Sequence, residues 1–556
     1  MRVSRRVVFA VAGSLMAATA LTACGGGGST AKGNADGVLN VGMPNGPQTD
    51  NNNPYLSSSA ANSLGYKNVI FEPLALFNKV KPTDDAKPWL ATKWDWSNNY
   101  QTLTLTVRDN VKWSDGQAFS ADDVKFTFDL LKATAGLNHN AIPFGDTTVS
   151  GSTVTATFTS PQFVNEYKIL TDTPIVPKHQ WSTFKDPATD PVKDPVGTGP
   201  FKLKTFTPQT VTLDVRSDYW KDAPKVKELR YTSYTDNNAQ ATALATGACE
   251  WAFAFIPNAK QVFVSKDPAH NQLYFPPDLA GHGLWFNTTK APFDNPALRQ
   301  AINMVINRDD IFNQGESGYF YPPITNITGI PTPAGNSFLA PEYKSQDVKV
   351  DVAGAKAKLT GAGFTFDGNT LKDPTGKPVT MTLSDPAGWS DYQTDLEIIK
   401  DNVSKIGITA TVDKANQDAW TKNVDTGNFD AVLHWTDGGA TPYQLYKSIM
   451  DGDLYKPVGT PGVNGNYGRF QNADATAALK AYASAADDAG RTAAMNKLQK
   501  IFVDNMPVAL TSASNLGGEY STKNWTGWPT NDNPYADAHP TLPGALDVIL
   551  NLKPAA

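Results

Sequence analysis

"TLTLTVRDNVKWSDGQAFSADDVKFTFDLL" (residues 102–131) runs from one kind of regular structure into another. Its opening alternates threonine with Leu103, Leu105 and Val107, so an extended chain there has one apolar face. After Trp113, Ser120 stands three residues before Asp123, the spacing of a capping box at a helix start. Val124, Phe128 and Leu131 then recur at helical intervals and form a single stripe. A half-buried strand followed by an amphipathic helix predicts an α/β fold, with helices laid on sheets.

The same alternation recurs in "VLNVGM" (38–43), "STVTATFT" (152–159) and "TVTLDVRS" (210–217). "NPALRQAINMVINRDDIF" (295–312) predicts one helix, with Asn295 as its cap and Pro296 at its first position. Leu298, Ile302, Val305 and Ile306 make its apolar stripe. The second half changes rhythm. Helical "DVAGAKAKLTGAG" (351–363) precedes a strand "VTMTL" (379–383), a helix around "DLEIIKDNVSKIG" (395–407), and strands "ITATV" (408–412) and "FDAVLHW" (429–435). This βαβ order predicts a lobe with a mixed or parallel sheet. Two late helices are expected near 473–485 and 491–503, and the turn-rich tail "GWPTNDNPYADAHPTLPGALDVILNLKP" (527–554) reads as folded.

At 556 residues the chain exceeds one compact core, which predicts two or three lobes. A net charge of −6, with 18% charged residues, offers no basic stripe for phosphates and argues against nucleic acid as a partner. Residues 1–24 read as an export signal: Arg2, Arg5 and Arg6, then "VVFAVAGSLMAATA", then "LTAC". Leu21 to Cys24 resembles a lipobox, which would make Cys24 the lipidated first residue after cleavage. "GGGGSTAKGNADG" (25–37) would be its flexible tether. "SRRVVF" loosely resembles a twin-arginine signal, so the export route stays open between that and Sec. Without Cys24 only Cys249 remains, which excludes an intramolecular disulfide.

Catalytic signatures are missing. The six histidines (139, 179, 270, 282, 434 and 539) have no metal-ligand spacing, and no nucleophile elbow occurs. "VGTGPFKLKT" (196–205) lacks the Lys-Ser/Thr ending of a phosphate loop and reads as a turn before a strand. Asp122-Asp123 and Asp309-Asp310 sit at helix ends, where dipole capping explains them. An exported chain without a catalytic constellation, a metal or a cofactor is most economically a binder, not an enzyme.

Six segments together resemble one family. Beside residues 102–131 they are "PVGTGPFKL" (195–203), "RSDYWKDAPKVKELRY" (216–231), "ATALATGACEW" (241–251), "FNTTKAPFDNPALRQAINMVINRDDIF" (286–312) and "AGAKAKLTGAGF" (353–364). In this order they resemble the family 5 solute-binding proteins of ABC importers, which serve oligopeptides, nickel and some oligosaccharides. The resemblance implies a two-lobed periplasmic-binding-protein type II fold with an extra subdomain in lobe I. Lobe I would span 38–280 with the subdomain near 69–190, lobe II 281–512, and 513–556 would return to lobe I. A ligand held in the interlobe cleft would be delivered to the membrane permease. The protein itself is expected as a monomer, lipid-anchored on the extracytoplasmic face of the cell membrane.

The ligand question turns on "LHWTDGGATPYQLY" (433–446). Peptide-binding members of the family typically carry Asp three residues after the tryptophan that matches Trp435, where it pairs with the peptide's ammonium. This chain has Gly438 there, and Asp437 falls one residue early, on the opposite face of an extended segment. The loop then reads as an aromatic shelf: Trp435 as contact, Gly438 as space for a ring, Asp437 as a hydrogen-bonding partner, and Tyr443 nearby. "EWAFAFIPN" (250–258) places Trp251 and Phe253 in a loop that faces the cleft in the family, and Trp285 and Trp389 are further candidates. Sugar rings lie flat on such aromatics. "GWPTNDNPYA" (527–536) resembles the members that bind β-linked oligosaccharides, the favoured ligand. The alternatives are an oligopeptide, a metal chelate, or a lipoprotein enzyme of another class.

Overall fold

The computed structural model describes residues 37–82 and 84–555. The signal at 1–24, Cys24 and the tether up to residue 36 lie outside the described residues.

Residues 102–131 fold as their pattern dictates. Strand Thr102–Val107 pairs antiparallel with Ala91–Ser97 and Thr153–Phe158, and Phe144–Ser150 completes a four-stranded sheet. Leu103, Leu105 and Val107 are buried on one face, as alternation requires. Helix Ala121–Ala133 covers that face: Val124, Phe128 and Leu131 are buried, and Phe128 stacks on Phe144 at 5.0 Å. The Ser120 amide donates to the Asp123 carboxylate at 2.9 Å, the reciprocal half of the capping box. Between strand and helix, the Ser114 amide donates to Gly197 O at 2.9 Å and so fastens this subdomain to the "VGTG" turn. A Cβ on Gly197 would lie 1.9 Å from Ile70 O, so only glycine allows that approach. Arg216, buried, donates to Gly197 O, Gly199 O, Lys112 O and Trp113 O and clamps both turns together.

Two larger sheets define the two lobes. Lobe I is built on seven strands in the spatial order Asn271–Tyr274, Gly518–Ser521, Trp251–Ala252, Val38–Met43, Glu228–Ser233, Thr210–Val215 and Phe201–Phe206. Lobe II is built on five: Thr409–Ala415, Thr380–Pro386, Ala431–Trp435, Pro277–Phe286 and Val508–Asn515. Thr380–Pro386 runs parallel to both of its neighbours, the outcome of helical crossovers, and Pro277–Phe286 is antiparallel to both of its own. Helices Pro296–Val305 and Ser390–Ser404 belong to one apolar cluster of lobe II, while Tyr443–Met450, Ala473–Ser484 and Asp488–Asn505 belong to another.

The chain crosses between the sheets twice, from Tyr274 to Pro277 and from Asn515 to Gly518. The two lobe II strands at the crossing, Pro277–Phe286 and Val508–Asn515, are hydrogen-bonded to each other. A Cβ at Gly517 would lie 2.2 Å from Tyr274 O, so the second crossing passes directly over the first.

One predicted element divides. The expected helix over 295–312 stops at Val305, and Ile306 is extended (φ −67°, ψ 119°). Asn307 then caps a new turn by accepting from the Asp309 and Asp310 amides, a competition that a mid-helix asparagine commonly wins.

Candidate functional site

Strand Ala431–Trp435 lies mid-sheet, and its first four residues are buried because both sheet faces are covered by helices. It ends at Trp435, which is 40% exposed, the one exposed tryptophan of thirteen. Aromatic rings from its own strand and from two helical elements surround it. His434 stacks on Trp435 at 4.1 Å, Trp420 lies 6.1 Å away on helix Gln417–Thr426, and Trp389 lies 6.2 Å away at the start of helix Ser390–Ser404. Tyr467 backs His434 at 4.1 Å. Burial pushes the His434 imidazole down to about 4, so it is a neutral ring at neutral pH.

The loop beyond Trp435 meets lobe I. The Thr436 amide donates to Gly281 O at 2.9 Å, which fixes the loop to the crossing strand. The Asp437 amide donates to Ser448 Oγ at 2.9 Å, and Lys168 Nζ of the subdomain donates to Asp437 Oδ2 at 3.1 Å. Burial alone would raise the Asp437 carboxyl; Lys168, with Lys447 and Lys79 behind it, holds it below the usual carboxylate range instead. A Cβ at Gly438 would lie 2.2 Å from Asp278 Oδ2, and Asp278 pairs with Lys79 at 3.5 Å. Further contacts bridge the lobes: Gln444 Nε2 donates to Val164 O at 2.8 Å, Arg491 covers the Phe163 ring at 4.5 Å, and Asn237 Nδ2 donates to Asp391 Oδ1 at 3.2 Å. The cleft is therefore closed.

Phe253, half-buried in lobe I, stacks on His539 at 3.9 Å and meets Phe320 of lobe II at 5.1 Å. Burial, with the Lys79 charge adding to it, pushes His539 down to about 3. Nearby in lobe II, the Tyr392 hydroxyl and His282 Nδ1 share a hydrogen bond, and His282 stacks on Tyr321 at 3.9 Å. Among the described residues, no group of three His, Cys, Asp or Glu is placed to hold a metal ion.

The eight candidate side chains separate. Trp435, Trp389, Asp437 and Gly438 come together at the end of the lobe II sheet, with Phe253 at the lobe contact. Three others require correction. Trp251 is in a strand, not a loop: it pairs with Val41 and Tyr520, is fully buried, and donates its indole N–H to Ala538 O at 2.7 Å. Trp285 is fully buried beneath the shelf and donates to His434 O at 3.0 Å. Tyr443 is buried at the start of helix Tyr443–Met450 and stacks on Tyr482 at 5.1 Å, inside a lobe II core. The sequence reading missed Trp420, His434 and Tyr467 of the shelf, and Lys168 and Asp278 of the wall. Trp420 and Val424 share a helical face and read as core; Lys168 belongs to no motif.

A family profile, "Bacterial extracellular solute-binding proteins, family 5 Middle", matches residues 85–453. The nickel-binding periplasmic protein of Escherichia coli K12 is 26% identical over 410 residues, which cover 72% of this chain and 75% of that protein. The glutathione-binding protein GsiB of Salmonella typhi is 30% identical over 334 residues, 58% of this chain and 60% of that protein. Among solved structures, a periplasmic oligopeptide-binding protein of an ABC transporter from Thermotoga maritima, determined with mannohexaose bound, superposes with a TM-score of 0.83. It is 24% identical and covers 94% of this chain and 99% of its own. The oligopeptide-binding protein AppA of Bacillus subtilis, with a nonapeptide, gives 0.77 at 19% identity, covering 93% of this chain and 99% of its own. These likenesses show the two-lobed fold, and each relative named is described as a binding protein. The chain belongs to the bacterial extracellular solute-binding proteins of family 5.

Proposed function

We propose that this ABC-importer binding protein captures a neutral oligosaccharide, favoured as β-linked, in the interlobe cleft and presents it to the permease. The observation that carries this reading is the shelf: an exposed Trp435 backed by Trp389, Trp420 and neutral His434. Flat apolar rings suit the faces of pyranoses, and no free charge is needed to hold them. Asp437 is occupied by Lys168, and Gly438 contributes no side chain. The Thermotoga neighbour with bound mannohexaose supports the same chemistry.

An oligopeptide is the second reading, and one observation favours it. Asp391, buried where the lobes meet, accepts from Asn237 and is pushed up to about 6 by burial, so a ligand ammonium there would gain a desolvated partner. Titration calorimetry of the full-length protein with mannohexaose, cellohexaose and a tri- to pentapeptide pool separates the two. Heat from a hexaose supports the proposal; peptide binding with no response to either sugar sinks it.

The location is part of the proposal. Among the described residues no helix is long and apolar enough to cross a membrane, and the lipobox-like "LTAC" would supply the attachment through Cys24. A Cys24→Ser chain is expected in the soluble fraction, and retention in the membrane pellet would refute the anchor.

A further inference from the structure

Lys168 occupies an unusual position for a surface lysine. It lies in the short helix Glu166–Leu170 of the subdomain, and its side chain is only 12% exposed, whereas its partner Asp437 is 53% exposed. Exposed ion pairs are worth little because both side chains must be ordered and water screens them. Here the backbone is held on both sides and the lysine side chain is largely covered. The Lys168 carbonyl accepts from Thr173 Oγ1 at 2.7 Å, and the Asp437 amide is fixed on Ser448. A second pair, Lys79 with Asp278, stands against Gly438 on the same wall. Each of these loop-facing carboxylates is thus matched by a lysine from lobe I.

We infer that Lys168 is a tethered counter-cation that excludes ammonium ligands: on closure it takes the place on Asp437 that a ligand's amino group would take, and so selects neutral ligands. This inference rests on the oligosaccharide reading for its natural ligand, but its mechanism concerns the charge on the wall alone. With Lys168 in place, a ligand ammonium meets a satisfied carboxylate and three lysines, Lys168, Lys447 and Lys79, acting on the same group. Without it, Asp437 keeps only the charges of Lys447 and Lys79 and has lost its hydrogen-bond donor, which leaves a carboxylate oxygen free for a charge-assisted bond from a ligand ammonium.

The test uses full-length wild-type, Lys168→Gln, Lys168→Arg, Asp437→Asn and Lys168→Gln/Asp437→Asn chains with three probes: mannohexaose, tetra-alanine and Nα-acetyl-tetra-alanine. Lys168→Gln should bind tetra-alanine about tenfold more tightly than wild type, the size of one hydrogen bond to a charged group. The acetylated peptide should show no gain, Lys168→Arg should retain the wild-type profile, and the double variant should lose what the single one gained. Should Lys168→Gln fail to fold by thermal melting, Lys168→Met is read in its place. No gain in a folded variant, an equal gain for the acetylated peptide, or tetra-alanine captured by the wild type through its free amino end overturns the inference. Absence of mannohexaose binding to the wild type overturns the ligand reading only, because the tetra-alanine comparison stands without it.

Discussion

Trp435 is exposed because its strand ends where helix cover on the sheet ends, and the rings around it hold the indole in one orientation. A pre-ordered aromatic that loses its water on binding is the kind of contact that dominates an interface, so Trp435→Ala should weaken mannohexaose binding by about 1–3 kcal/mol in calorimetry. Asp437→Asn in the same titration should change it by less than about 1 kcal/mol, since a half-exposed ion pair contributes little to a neutral ligand. Asp537 makes a separate prediction about stability. Burial raises its carboxyl from 3.8 to about 7, ahead of the opposing Lys79 charge. The folded state thus holds this proton more tightly than the unfolded chain. Its stabilising contribution is full below pH 3.8 and is lost as pH rises through 7, at about 1.4 kcal/mol per unit within that window. Urea unfolding of Asp537→Asn between pH 5 and pH 7 should therefore show a shallower fall with pH than wild type; parallel curves would refute the assignment.

Helix Gln417–Thr426 carries Trp420 to the shelf and ends on Gly427 in the left-handed region, φ +71°. A Cβ there would also lie 2.9 Å from Arg469 Nε, a buried side chain with no free space to retreat into. Gly427→Ala should cost about 1 kcal/mol or more in urea unfolding and weaken the ligand with it, because the cap sets where Trp420 sits. This helix was missed in the sequence, whereas other elements were legible there. The period-two run at Leu103, Leu105 and Val107 and the Ser120–Asp123 box are local patterns, and local patterns survive folding. Asn307 shows the limit: hydrophobic spacing ran on to Ile306, but a side chain that caps the next turn outweighed it. Trp251 shows another. It was expected in a cleft-facing loop, and pairing with Val41 and Tyr520, residues far away in the chain, instead makes it a fully buried strand residue. The Lys168–Asp437 pair joins residues 269 apart, a distance that no periodicity encodes.

Across the whole molecule, closure depends on close fits as much as on attractive contacts. Gly438 lies so near Asp278 of the same lobe that Gly438→Val should displace the loop, and with it the Asp437 contact to Lys168 that bridges the lobes. In small-angle scattering its radius of gyration should stay above that of wild type even at saturating mannohexaose, with affinity down at least about tenfold and the melting temperature little changed. Gln444→Ala, which removes only the bond to Val164 O, should shift the same curve partway. The paired crossing at Tyr274–Pro277 and Asn515–Gly518 sets what kind of motion this can be. Two strands bonded side by side, one passing directly over the other at Gly517, bend readily about a single axis and resist torsion about the line that joins the lobes. The protein then opens as a door on two pins rather than as a ball in a socket. Every point on the rim travels a fixed arc, and one labelled distance across it reports the state of the entire molecule.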